Sequence, residues 1–186
     1  MAILTQTKHL NTAHQPGVAT LAALNGLTRE RFVGVVGPVF EQSPWVAERT
    51  WPKRPFASAA ALHRALCDTV LASDEAKKLD LIRAHPDLAG RAARAGTLTP
   101  ASAQEQASGG LDQLSAEEAA LFDKYNRAYR ERFGFPFVIC ARRNKKAAVL
   151  AGFERRLLHP RAEEIAAALA EIFKIAELRL ADLIIP

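Results

Sequence analysis

A histidine directly before a proline is the first place where this sequence could do chemistry. In LIRAHPDLAG, residues 81–90, His85 ends an apolar helical pattern and precedes Pro86. A proline keeps the residue before it out of the α-helical region, so we expect the helix to end at His85. Carbonyl groups at a helix end favour a protonated imidazole, and an ordinary pKa of about 6.5 permits proton transfer at neutral pH. The pattern fits a catalytic acid and a simple charge partner for the helix equally well.

A second polar group lies on PASAQEQAS, residues 100–108. Ser102, Glu105 and Gln106 stand at positions i, i+3 and i+4, so on a helix they share one face. A hydroxyl, a carboxylate and an amide on that face could hydrogen-bond a polar, nitrogen-rich ligand. An ordinary solvated helix surface would show the same spacing, and the spacing alone does not separate the two interpretations.

Arg179 is notable for the side of the last helix on which it falls. At about 100° per residue, the apolar positions of that helix form one arc. These positions are Ile165, Ala168, Leu169, Ile172, Ile175, Ala176, Leu180 and Leu183. Arg179 lies inside the arc, where an arginine needs an anionic or carbonyl partner, because an unpaired buried charge is costly. A salt bridge within the protein and a ligand carboxylate would both meet that need.

Other kinds of site are not indicated by the sequence. The 5 histidines form no HExxH or HxH motif and have no nearby carboxylate set, so no metal is predicted. The GxSxG elbow of hydrolases and the GxxxxGK[ST] phosphate loop are both missing. Cys67 and Cys140 form no CxxC pair, and we expect each to be a small core residue in a reducing compartment.

The composition is that of a globular protein with a basic balance. Apolar residues make up 49% of the 186 residues and charged residues 24%, which excludes a disordered chain. The net charge of +5 concentrates in residues 141–156, where no nucleic-acid motif or aromatic interleaving accompanies it. A solvated helix face or attraction for an anionic metabolite explains this segment, so no nucleic-acid partner is predicted. No apolar run could cross a bilayer and no targeting signal is recognisable, so we expect a soluble cytoplasmic protein.

Helical spacing and capping signals dominate the chain, so the predicted fold is all-α. Residues 1–18 are polar and aperiodic and predict a flexible arm, while residues 19–186 predict a single compact domain of several helices with short connections. Serine or threonine caps are predicted at Thr28, Ser43, Ser58, Ser73, Thr99 and Ser115. Further helices are predicted over about 144–158 and 161–183. GFPFVIC, residues 134–140, has a β-like composition, but Pro136 argues against a central strand and favours an extended loop.

Four ordered motifs give the sequence a resemblance to a known family. They are HPDLAG at 85–90, the S-x-x-E-Q pattern at 102–106, FGFPFVICA at 133–141 and EIxKIxELRL at 171–180. With the upstream run that contains FEQSPWVAE, they make residues 22–184 similar to OHCU decarboxylase. This enzyme, 2-oxo-4-hydroxy-4-carboxy-5-ureidoimidazoline decarboxylase, completes the route from urate to allantoin. The basic RRNKK run and the LLHP ending depart from the family pattern without touching the motifs.

The resemblance implies an all-helical, cofactor-free and homodimeric enzyme that acts on a small anionic molecule. His85 would be the catalytic acid and Glu105 its polar partner. Arg179 would anchor the anionic substrate, and residues 137–141 would offer backbone groups to its ring. The implied ligand-binding residues are Pro86, Ser102, Gln106, Phe137, Val138, Ile139, Cys140, Ala141 and Arg179.

The expected reaction agrees with the absence of cofactor motifs. Loss of CO2 leaves electrons that the ring's own carbonyl can accept, so neither pyridoxal nor thiamine is needed. The protein must supply orientation, charge stabilisation and a proton on one face, which would give (S)-allantoin. The alternative is a catalytically silent helical module that binds an anionic partner through the basic segment.

Overall fold

The computed structural model describes residues 19–185, and ten α-helices account for most of that range. In chain order they are α1 Leu21–Gly26, α2 Arg29–Val36, α3 Trp45–Thr50, α4 Ala59–Leu71, α5 Glu75–Arg83, α6 Arg91–Arg94, α7 Pro100–Ser108, α8 Ala116–Phe133, α9 Lys146–Arg156 and α10 Arg161–Leu183. Strands β1 (Ala19–Thr20) and β2 (Ile184–Ile185) pair in parallel. The all-α prediction is confirmed. The arm predicted for residues 1–18 lies outside the described residues.

Four of the predicted helix caps are present in the structure. The side chains of Thr28, Ser58, Thr99 and Ser115 each accept a backbone N–H from the first turn of their helix. At Ser115 the carboxylate of Glu118 also accepts the serine N–H, which completes a capping box. Local sequence therefore decides where α2, α4, α7 and α8 begin.

Two predicted caps are wrong by one residue. Helix α5 is capped by Asp74, whose Oδ1 accepts the Lys77 N–H at 2.8 Å, while Ser73 donates its hydroxyl to the Val70 carbonyl. Aspartate and serine cap helices about equally well, and here Asp74, which is one residue closer to the helix, accepts the N–H of the first turn. Helix α3 follows Pro44, which is already helical and makes no side-chain cap.

Other elements were not predicted. They are the short helix α1, the four-residue α6 in the connection between α5 and α7, and the two paired strands. Helix α9 begins at Lys146, two residues later than predicted, because Ala141–Arg143 form a 3-10 turn before it. All of these are short, and short elements depend on packing more than on local pattern.

The long helix α10 lies at the centre of the fold, where it packs against α4, α5 and the 3-10 turn Gly37–Val39. Its buried side consists mainly of the predicted apolar arc, but it also contains Glu164 and Arg179. A second group of buried side chains is aromatic, and Phe137 stacks on Phe153 with ring centroids 4.0 Å apart. Both groups belong to one continuous hydrophobic core.

The extended segment between α8 and α9 passes through this core. Gly134 ends α8 with a φ of 77°, a left-handed conformation that glycine adopts without strain. Residues 135–140 then have neither helical nor strand structure, as predicted, and Phe135–Ala141 are buried. A buried irregular backbone must find hydrogen-bond partners, and those partners define one wall of the site described next.

Candidate active site

His85 lies two residues beyond Arg83, the last residue of α5, so the helix ends slightly before the position predicted. Its backbone N–H donates to the Ile82 carbonyl at 3.2 Å, and its ring Nδ1 lies 2.9 Å from the Leu81 carbonyl oxygen. A carbonyl can only accept, so Nδ1 carries a hydrogen and Nε2 of the neutral ring keeps its lone pair. Within residues 19–185, Nε2 has no hydrogen-bond partner, and the imidazole lines a pocket.

Burial decides the charge of this histidine. The side chain is buried, and loss of hydration lowers the pKa of His85 from its ordinary 6.5 to about 4, although the Leu81 carbonyl and Glu41 favour the charged form. The predicted effect of the helix-end carbonyl is present, but burial outweighs it, and the expectation of a protonated His85 is not met. At neutral pH the ring presents a basic nitrogen.

The pocket beside His85 brings together segments that are far apart in the sequence. The space between its walls that is not filled by protein atoms, including the part open to solvent, is about 430 Å³. It is lined by His85, Pro86, Leu88, Ser102, Glu105, Gln106, Phe137, Val138, Ile139, Cys140, Ala141, Arg142 and Ile175. With the exception of Arg179, all the site residues expected from the sequence lie on its wall. Leu88, Arg142 and Ile175 were not expected there.

Helix α7 supplies the polar side of this pocket. Ser102, Glu105 and Gln106 share one face, as predicted, and Ser102 and Gln106 are buried, so the solvated-surface interpretation is wrong. Gln106 accepts the Ala89 N–H at 2.8 Å and donates to the Asp87 carbonyl at 3.4 Å. The amide thus fixes the loop that carries His85.

Arg179 lies behind this face and is fully engaged by protein groups. Its Nε and Nη2 donate to the two Glu105 oxygens at 2.7 and 2.8 Å, and Nη2 also donates to Glu41 at 2.9 Å. Nη1 donates to the Pro38 carbonyl at 3.1 Å. The internal salt bridge that the sequence left open is what the structure contains. Anchoring of a substrate by Arg179 stays a prediction, and its side chain is not on the pocket wall.

Glu41 is the residue that the sequence interpretation missed in this cluster. Burial raises the pKa of its carboxyl, but the Arg179 guanidinium and hydrogen bonds from Ser102 and Thr99 outweigh burial and hold that pKa below its usual range. With two carboxylates and one guanidinium, the Glu41–Arg179–Glu105 cluster has a formal net charge of about −1. The position of Arg179 on the apolar side of its helix indicated that it has anionic partners, but it did not identify them.

The backbone of residues 137–141 forms the opposite wall. The Val138 carbonyl accepts from Arg156 at 2.7 Å, and the Cys140 N–H donates to Glu171 at 2.9 Å. The Cys140 carbonyl accepts from Asn144 at 2.9 Å. In the described part of the chain, the N–H and C=O of Ile139 have no protein partner. The same holds for the N–H and C=O of Phe137, so this segment has backbone groups that could pair with a ligand.

Buried charges hold this wall in place. Arg156 is paired with Glu164, and Glu164 also accepts hydrogen bonds from Tyr129 and His159. Both members of the pair are at most 4% exposed. Such a pair imposes one geometry on its surroundings, here on the Val138 carbonyl.

Similarity to known proteins agrees with the pocket. A family model described as OHCU decarboxylase matches residues 25–181. The chain belongs to the OHCU decarboxylase family. Its relative from Halalkalicoccus jeotgali, named 2-oxo-4-hydroxy-4-carboxy-5-ureidoimidazoline decarboxylase, is 42% identical over 167 residues, which are 90% of this chain and 93% of that protein.

Solved structures of the OHCU decarboxylase type share the fold. A crystal structure of (S)-allantoin synthase matches with a TM-score of 0.71 at 28% identity, covering 90% of this chain and 54% of that one. A crystal structure of OHCU decarboxylase in the presence of (S)-allantoin gives 0.61 at 24% identity, covering 75% and 89%. At that lower identity the second match supports the fold alone.

Among residues 19–185, no three or more His, Cys, Asp or Glu side chains are grouped so that they could hold a metal ion. In the same range no helix is long and apolar enough to cross a membrane.

The depressed pKa of His85 should appear in the stability of the protein. Between pH 6.5 and about 4, His85 binds a proton in the unfolded chain but not when it is buried in the folded protein. The free energy of unfolding therefore falls as the pH falls. We expect wild type to lose about 1–2 kcal/mol more than His85→Gln between pH 7 and 5. Urea unfolding of both proteins at the two pH values measures this. Equal losses would show that His85 is not buried in its neutral form.

Proposed function

We propose that this protein removes CO2 from OHCU and forms (S)-allantoin in the last step of urate degradation. The observation that carries the proposal is one pocket lined by His85 with its free Nε2, by Glu105 and by Ile139 with its unpaired backbone groups. Such a pocket offers a base, a fixed carboxylate and two ring-binding groups. The membership in the family supports the same reaction.

The name of the substrate defines the chemistry. Its carboxyl and hydroxyl groups share ring carbon C4, and the remaining ring double bond joins C5 to N1. When CO2 leaves, its bonding electrons form a C4=C5 double bond, and N1 accepts the displaced pair and then a proton. The electron acceptor is thus this C=N bond, in place of the ring carbonyl considered from the sequence. Allantoin is complete when the C4 hydroxyl loses a proton and C5 gains one.

His85 is suited to carry that proton. At neutral pH its Nε2 is unprotonated, so it can accept the proton of the C4 hydroxyl and return it to one face of C5. The predicted acid role is retained in this proposal, but the acid is formed during the reaction. Delivery from one side gives a single enantiomer.

The other site residues orient the ring. Glu105, held by Arg179 through two hydrogen bonds, would bind ureido or hydroxyl groups, while Arg179 positions Glu105. The N–H and C=O of Ile139 would pair with a ring carbonyl and a ring N–H. Pro86 and Phe137 would close the pocket around the ring. Positioning of this kind supplies much of the rate of a cofactor-free enzyme.

The proposal includes a cytoplasmic homodimer, which the family resemblance implies. Light scattering after gel filtration would test the dimer, and a monomer at all concentrations would contradict it.

The alternative function, a catalytically silent module that binds an anionic partner, is less well supported. In the basic segment, Arg142, Arg143 and Lys146 are paired with Asp182, Glu177 and Glu118. An anionic macromolecule that used the whole segment would have to displace all three of these carboxylates together.

Mixing freshly prepared OHCU with the protein tests the activity. We expect the absorbance of OHCU to decay faster than it does spontaneously, and the product to be optically active. Circular dichroism of the reaction mixture follows both. Decay at the spontaneous rate with a racemic product would refute the decarboxylase proposal.

A further inference from the structure

The pocket wall presents a charge problem for an anionic substrate. Arg179 is committed to Glu41 and Glu105, and the cluster of these three residues carries a net charge of about −1 behind the wall. His85 is neutral at pH 7. A carboxylate entering this pocket therefore needs a cation from another position.

Arg142 is the side chain with that charge. Of the described residues on the wall, it alone carries a full positive charge at neutral pH. It lies in the 3-10 turn Ala141–Arg143, at the end of the backbone wall formed by residues 137–141. Its guanidinium donates to the two Asp182 oxygens at 2.5 and 3.3 Å. The Arg142 side chain is 30% exposed and that of Asp182 is 60% exposed.

We infer that Arg142 receives the carboxylate of the substrate, and that Asp182 occupies its guanidinium until the substrate arrives. This inference rests on the proposed function. A guanidinium fork binds any carboxylate with two parallel hydrogen bonds, so a substrate carboxylate can replace that of Asp182. The exchange costs little, because Asp182 is mostly exposed and returns to water.

The reaction gives this contact a distinctive kinetic effect. The carboxylate is the group that departs as neutral CO2, so its attraction to Arg142 weakens as the transition state is approached. An interaction made with the ground state and lost in the transition state lowers KM and also lowers kcat, so its removal raises both and leaves kcat/KM nearly unchanged. Arg142 therefore holds the carboxylated ring in the bound ground state, while His85 and Glu105 act on the chemistry.

Steady-state kinetics of matched variants test the assignment. We expect Arg142→Gln to raise KM for OHCU about tenfold or more, with kcat raised as well and kcat/KM within about threefold of wild type. Arg143→Gln is the control, because Arg143 lies in the same turn, pairs with Glu177 and is not on the pocket wall. It should leave KM unchanged. Asp182→Asn removes the competing carboxylate and should lower KM. Wild-type KM in Arg142→Gln, or an equal rise in Arg143→Gln, would overturn the inference and leave the decarboxylase proposal intact.

Binding without turnover separates the two proposals further. Calorimetry with hydantoin-5-acetate, a stable ring that carries a carboxylate, is compared with calorimetry using uncharged hydantoin. Arg142→Gln should weaken binding of the acid about tenfold or more and leave hydantoin unaffected. The same loss for both ligands, no loss for the acid, or no binding of the acid to wild type would each overturn the role of Arg142. A protein that fails to decarboxylate OHCU but shows the selective loss would contradict only the proposed function.

Discussion

Replacing His85 by alanine or asparagine should lower kcat by about 10²–10⁴-fold, because among residues 19–185 no other side chain on the pocket wall presents a basic nitrogen. The product that still forms should approach a racemic mixture, since protonation at C5 would then come from solvent on either face. The far-UV circular dichroism should stay that of wild type, because the imidazole makes a single hydrogen bond to the protein. Turnover measured with freshly made OHCU, together with the optical rotation of the product, tests this.

His63→Gln is the matched control for the His85 variants. His63 is also a helix-associated histidine, but its Nε2 lies 2.9 Å from the Phe173 carbonyl and the side chain is not on the pocket wall. It should keep wild-type turnover. A His85 variant with near-normal rates and an optically pure product would exclude the proton-carrying role.

Arg179→Met should have the largest effect on stability, about 3–5 kcal/mol at pH 7. The substitution keeps a long side chain but leaves the carboxylates of Glu41 and Glu105 buried without a cation. Turnover should also fall, because Glu105 loses both hydrogen bonds that fix it. Urea unfolding gives the stability, and OHCU turnover below the unfolding range gives the activity.

The charge explanation has its own test. Lowering the pH protonates the stranded carboxylates, so the stability difference between Arg179→Met and wild type should shrink between pH 7 and 5. Arg179→Lys keeps the charge but not the fork, and should lose less stability than the methionine variant. Arg143→Gln, which removes an exposed ion pair, should change stability by about 1 kcal/mol or less. A pH-independent difference would mean that lost packing, and not unpaired charge, destabilises the variant.

Much of the architecture follows from local sequence. The caps at Thr28, Ser58, Thr99 and Ser115 satisfy the first N–H groups of their own helices, and this needs no distant partner. The short elements α1 and α6 and the pairing of β1 with β2 were missed for the opposite reason. Their hydrogen bonds and packing come from segments that lie far away in the chain.

The site was predicted more completely than the roles within it. The spacing of Ser102, Glu105 and Gln106 indicated a shared face, and the resemblance indicated residues 137–141, all of which line the pocket. The position of Arg142 on the wall could not be read from a basic run, since such runs usually face solvent.

The sequence by itself determined the helical class, the end of α5 shortly before the His85–Pro86 step and the need of Arg179 for an anionic partner. Each of these depends on the backbone preference or charge of one residue or on one helical repeat. Only the tertiary structure decided that Glu41 and Glu105 are the partners of Arg179, and that His85 is neutral at neutral pH. The reason is that burial sets the charge of a group, and burial is produced by segments that the chain brings together only when it folds.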